Sequence, residues 1–85
     1  MEEIFKKLIE KYGIAHQLDM VMEESAELIQ AINKYKRMGE VGNLVEEMAD
    51  MEIMLSQLRM ILDCDKWIES IKVDKMDRIK KLVDL

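Results

Sequence analysis

Glycine is the only residue that punctuates this chain. The sequence has no proline, and its three glycines stand at positions 13, 39 and 42. Nothing therefore stops a helix between Ile14 and Met38, or between Asn43 and about Leu62. Proline would remove a helical hydrogen bond, and glycine supplies the left-handed residue on which helices end. The long unpunctuated stretches are rich in Met, Leu, Ile, Glu and Lys, which favour helix. This spacing predicts a helix from Glu2 to Tyr12 ended by Gly13 and a second from Ile14 to Met38 ended by Gly39. After a turn at Gly39-Glu40-Val41-Gly42, a third helix is expected to open on Asn43 as N-cap, with Glu46 completing a capping box. A fourth follows Asp63-Cys64-Asp65. The expected fold is all-α, a small helical bundle of about four helices in one domain spanning residues 1–85.

Two acidic pairs break the apolar pattern of the central helices. They are Glu24-x-x-Glu27 and Glu47-x-x-Asp50, and residues three apart on a helix face the same way. In the third helix the apolar stripe reads Leu44, Met48, Met51, Leu55, Leu58 and Leu62; Glu47 falls inside it and Asp50 at its edge. In the second helix the stripe reads Leu18, Val21, Met22, Ser25, Leu28, Ile29 and Ile32, with Glu24 and Glu27 beside it. A carboxylate in such a place takes up a proton or finds a cation. Two helices packed together would gather four carboxylates, a hard-oxygen donor set suited to Mg²⁺. Lys34 lies further along the same side of the second helix.

Ala49, Ile53 and Met60 lie opposite the main stripe of the third helix. A helix apolar on both sides needs more cover than a chain of 85 residues provides. Completion by homo-oligomerisation is expected, and nine methionines suit an adaptable packing surface. The fourth helix repeats Trp67, Ile68, Ile71, Met76, Ile79, Leu82 and Val83 at helical spacing, and Lys75 and Arg78 are expected to face protein beside that stripe.

Other function classes are disfavoured. A net charge of −5 opposes binding to a nucleic-acid backbone. One cysteine, Cys64, excludes an intrachain disulfide and reads as a small filler at a helix end. No apolar run has the length of a signal peptide or a membrane span, so a cytoplasmic protein with no membrane partner is expected. A di-iron bundle would use Glu-x-x-His pairs; the one histidine, His16, has no such partner and reads as an ordinary polar residue. With no nucleophile-base pair and no glycine-rich phosphate loop, an enzyme here would activate water.

The motif Glu23-Glu24-Ser25-Ala26-Glu27, followed after nineteen residues by Glu47-Met48-Ala49-Asp50, resembles the signature of the MazG-like all-α nucleoside triphosphate pyrophosphohydrolases. The setting is similar as well: Gly13 and Gln17 precede the first motif, and Lys75-x-x-Arg78 looks like the family's basic C-terminal element. The resemblance runs from about Tyr12 to Arg78. It implies Mg²⁺-dependent hydrolysis of a nucleoside triphosphate to the monophosphate and pyrophosphate, with Mn²⁺ as a possible substitute. Glu24, Glu27, Glu47 and Asp50 would be metal ligands, and Glu23 a further ligand or the group that orients or deprotonates water. Lys75 and Arg78 would neutralise phosphate oxygens; Lys34 is a candidate for the same work from its helix face alone. The resemblance further implies a homodimer or homotetramer whose subunits jointly form the site. The chain lacks the Tyr-His that follows Ala-Asp in the histidine-biosynthesis branch. Asn43, Met54 and Gln57 are candidates to line a base pocket. The alternatives are a non-catalytic helical oligomer and a related hydrolase acting on another pyrophosphate substrate.

Overall fold

The computed structural model describes residues 2–85. Helix α1 spans Glu2–Tyr12, α2 Ile14–Met38, α3 Val41–Leu62 and α4 Asp65–Leu82, and no strand occurs among the described residues. The first two boundaries follow from glycine. Gly13 has φ 88° and its N–H donates to the carbonyl of Ile9 at 2.8 Å. Gly39 takes the left-handed conformation, φ 68° and ψ 23°, and its N–H donates to the Tyr35 carbonyl at 2.8 Å. A Cβ at either position would be strained.

The start of α3 differs from expectation. The helix begins at Val41, two residues before the expected cap, with Glu40 extended at the N-cap and no side-chain cap bond. Left-handed Gly39 and extended Glu40 reverse the chain in two residues, so a longer turn is unnecessary; Gly42 and Asn43 then lie inside the first helical turn. At the other end Asp63 is left-handed, φ 49°, a conformation that aspartate tolerates better than most residues. Cys64 follows as the N-cap of α4, half-buried and free.

The short turn folds α2 and α3 into an antiparallel hairpin, which makes the principal packing of the chain, and α1 lies against both helices. The register is fixed by the pairs that meet. Gln17 meets Gln57, and Glu27 and Glu47 bring carboxylate oxygens together. Each pair of numbers gives the same sum, and Glu24 and Asp50 share it.

The inward faces are not the expected stripes. On α2 the residues turned from solvent are Gln17, Met20, Val21, Glu24, Ser25, Leu28 and Ala31, whereas Leu18, Met22, Ile29 and Ile32 are exposed. On α3 the inward set includes Leu44, Glu47, Asp50, Met51, Met54, Gln57, Leu58 and Ile61, whereas Met48, Leu55 and Leu62 are exposed. Both helices are rotated so that the polar edge of each stripe faces its partner. Two of the fully buried residues are amides, Gln17 and Gln57, beside the apolar Phe5 and Ala31.

Helix α4 has no layer over it. It makes no extended packing with α1, α2 or α3; Trp67 is 71% exposed, and Ile71, Met76 and Ile79 are exposed as well. Lys75 and Arg78, expected to face protein, are exposed for the same reason. What fixes the start of α4 is Arg59, which donates to Asp65 at 2.7 Å and to Glu69 at 3.1 Å. The chain exposes 6995 Å², against roughly 5,200 Å² for a folded monomer of this mass. Its radius of gyration is 15.9 Å, against about 12 Å for a compact domain of this length. No helix among the described residues is long and apolar enough to cross a membrane.

Candidate functional site

The hairpin register brings the acidic pairs face to face. Glu24 and Glu27 come from successive turns of α2, Glu47 and Asp50 from successive turns of α3, and helical spacing turns each pair toward the seam. Glu24, Glu27 and Glu47 each offer an oxygen within 4.8 Å of the others. Ligand oxygens on one Mg²⁺ at about 2.1 Å lie about 3.0 Å apart when adjacent and about 4.2 Å apart when opposite, so the three side chains would draw closer together around a single ion. Asp50 is half-buried beside it, outside the three-oxygen group, and its charge acts on both Glu24 and Glu47.

The electrostatics are uncompensated. Glu24 and Glu47 each have an oxygen, Oε2 in both, that is shut from water and lacks a hydrogen-bond partner. Burial pushes the Glu24 carboxyl above the usual carboxylate range, and the charges of Glu27, Asp50 and Glu47 push it further. Glu47 is raised by burial first, then by Glu27, Asp50 and Glu46. Among the described residues the ion pairs are those of Arg59 with Asp65 and Glu69 and of Lys72 with Glu69; none reaches the four acids. A divalent cation would supply the missing charge, and the donor set, all oxygen with no histidine or thiolate, fits Mg²⁺ or Mn²⁺.

The remaining candidates are placed differently. Glu23 is exposed next to Glu24, and Lys34 is exposed on α2, two turns beyond Glu27. Lys75 and Arg78 sit one turn apart on the uncovered α4, and within one chain no ion pair joins them to the acids. Asn43 and Met54 are half-buried on the inward side of α3. Gln57 is corrected as a pocket-lining residue: it is wholly buried, and its Oε1 accepts from Gln17 Nε2 at 2.7 Å. It packs against another amide inside the hairpin and lines no open surface.

Two features escaped sequence reasoning. The Gln17–Gln57 pair was signalled by its spacing, because each glutamine lies seven residues from an acid, Glu24 and Asp50, on the same helix face. The clamp of Arg59 on α4 had no such signal beyond a basic residue in the last turn of α3. Arg59 also separates two open pockets of about 330 and 620 Å³, one lined in part by Phe5, Met60 and Asp63, the other by Ala49, Ile53 and Lys72. Neither contains any of the four acids.

No protein-family model, curated protein or solved structure matches this chain.

Proposed function

We propose that this chain is a Mg²⁺-dependent pyrophosphohydrolase, which splits a nucleoside triphosphate into the monophosphate and pyrophosphate and works as a homo-oligomer. The observation that carries the reading is the convergence of three acids without ion pairs, Glu24, Glu27 and Glu47, two of them with an orphaned buried oxygen, on the seam of one helical hairpin with Asp50 beside them. The order and spacing of the two motifs, which resemble those of MazG-like enzymes, supply the reaction class.

Glu24, Glu27, Glu47 and Asp50 would hold the ion, and Mn²⁺ is the natural substitute. An ion held by these carboxylates would supply positive charge and Lewis acidity towards a polyphosphate. Glu23, exposed beside Glu24, orients the attacking water or takes its proton. Lys75 and Arg78 neutralise phosphate oxygens, and Lys34 offers a third positive charge from α2. Because α4 carries its basic pair on a helix with uncovered apolar residues, assembly of chains is the step that gives these cations a fixed place.

The test is pyrophosphate release from a panel of ribo- and deoxyribonucleoside triphosphates, with Mg²⁺ and with chelator, for the wild type, Asp50→Asn and Lys75→Ala. Metal-dependent release that Asp50→Asn abolishes and Lys75→Ala weakens is the expected result. Full activity of Asp50→Asn at unchanged Mg²⁺ removes the metal assignment. No release from any nucleotide, in a folded oligomer that binds Mn²⁺, points to another pyrophosphate substrate or to a non-catalytic role.

A further inference from the structure

We propose that the buried Gln17–Gln57 pair pins the register of the α2/α3 hairpin and is thereby the positioning element for the four acids; this rests on the reading of those acids as a cation site. The pair is the most deeply buried polar contact in the described residues, with Gln57 0% and Gln17 4% exposed. Its orientation is set from outside inward. His16 Nδ1 lies 2.9 Å from Gln17 Oε1, which leaves Gln17 Nε2 to donate to Gln57 Oε1 at 2.7 Å, and His16 is itself stacked on Tyr12 with ring centroids 5.0 Å apart.

The two-residue turn at Gly39 and Glu40 ties the two helices together at one end, and the Gln17–Gln57 pair ties them at the other, beyond the acids. The acids oppose this register: without a cation, bringing Glu24 and Glu27 against Glu47 concentrates like charge within 4.8 Å. The apolar residues turned inward between acids and amides are Met20, Val21, Met51 and Met54, and the flexible methionines among them fill many shapes and specify register weakly. Gln57 Nε2 already lacks a hydrogen-bond partner, and a slip of one turn would set Gln17 Nε2 and Gln57 Oε1 against side chains that offer them no bond either, adding two more costly buried groups. The same slip would move Glu27 from Glu47 towards Met51 and dissolve the cluster. A single buried polar pair fixing helix register has a known physical basis in coiled coils. Here the pair lies seven residues, about 10 Å along each helix, from the acids it aligns.

The test measures register and cation affinity separately. Spin labels on exposed cysteines introduced by Asp19→Cys and Glu52→Cys, in a Cys64→Ser background diluted with unlabelled chains, report the α2-to-α3 distance by pulsed electron resonance. Mn²⁺ titration reports the site. With the native glutamines a single narrow distance is expected. Gln17→Met with Gln57→Met, which keeps length and volume and removes the bond, is expected to add a second distance population. It is also expected to weaken Mn²⁺ binding at least tenfold without lowering the thermal midpoint in chelator. The paired leucine substitution serves if the methionine pair does not fold. An unchanged single distance in the folded double variant overturns the pin. A changed distance with unchanged Mn²⁺ affinity overturns the positioning role. Absence of Mn²⁺ binding in the wild type removes the cation reading instead, and the distance measurement still decides the register.

Discussion

Assembly is the prediction that the surface of this chain makes most sharply, and Ile29→Glu is the substitution that probes it. Ile29 lies on the outer side of α2, 61% exposed, where the same side carries Leu18, Met22 and Ile32. The chain exposes about 1,800 Å² more than a folded monomer of its mass. Covering that excess on two protomers would bury roughly 3,600 Å², inside the range of roughly 2,000–5,000 Å² for obligate homodimers. Sedimentation is expected to give two or four times the chain mass of 10.0 kDa, with no folded monomer at micromolar concentration. Unfolding is then coupled to dissociation, and a tenfold rise in chain concentration adds about 1.4 kcal/mol. With a urea dependence of about 1–3 kcal/mol per molar, the midpoint moves by roughly 0.5–1.4 M. Ile29→Glu removes about 2 kcal/mol of burial per copy and adds a charge that must be desolvated, so it is expected to dissociate and unfold the protein together. A wild-type protein that sediments at 10.0 kDa, scatters with a radius of gyration near 15.9 Å and unfolds independently of concentration would refute the reasoning.

Two further outcomes are expected. Glu24 and Glu47 hold protons more tightly in the folded state than in the unfolded one, so metal-free stability falls as pH rises from about 4.3 through their raised values. Glu69, lowered by its bond from Arg59 and by Lys72, acts with the opposite sign: its contribution is present above the ordinary carboxylate range and lost as pH falls through its folded value. Saturating Mg²⁺ removes the first effect and leaves the second. Thermal melts in chelator and in Mg²⁺ between about pH 4 and 7 check this, and chelator midpoints that climb steadily with pH contradict it. Arg59→Ala frees the start of α4; the acid partners are largely exposed, 74% and 56% for Asp65 and Glu69, so global stability is expected to change little. Faster proteolysis between Asp63 and Asp65 reads it out, and an unchanged cleavage rate removes Arg59 as the clamp.

The helices were legible because their limits are local. Gly13 and Gly39 end α1 and α2 by a backbone conformation that few other residues reach, and that information sits at one position each. The start of α3 was not legible, because left-handed Gly39 and extended Glu40 made the expected turn and its Asn43 cap unnecessary. The stripes were legible as pairs of faces, not as inside and outside. Leu18, Met22, Ile29 and Ile32 form as good an apolar row as any on α2, and hydropathy alone turns them inward; the hairpin instead buries Gln17, Glu24 and Ala31. Local spacing also gave each acidic pair, since three residues along a helix restore direction whatever the tertiary structure does.

The sequence by itself determined an all-helical chain, four segments and two acidic pairs, because helix propensity, glycine conformation and the helical repeat act over a few neighbouring residues. Tertiary structure alone decided that the two pairs meet, that Gln57 is a buried bonding partner of Gln17, and that α4 stands uncovered with its apolar stripe and both basic candidates exposed. Those facts depend on rotation and register between helices. Near-equal apolar faces leave them degenerate, and they are set by contacts between residues forty positions apart, such as the 2.7 Å bond from Gln17 to Gln57.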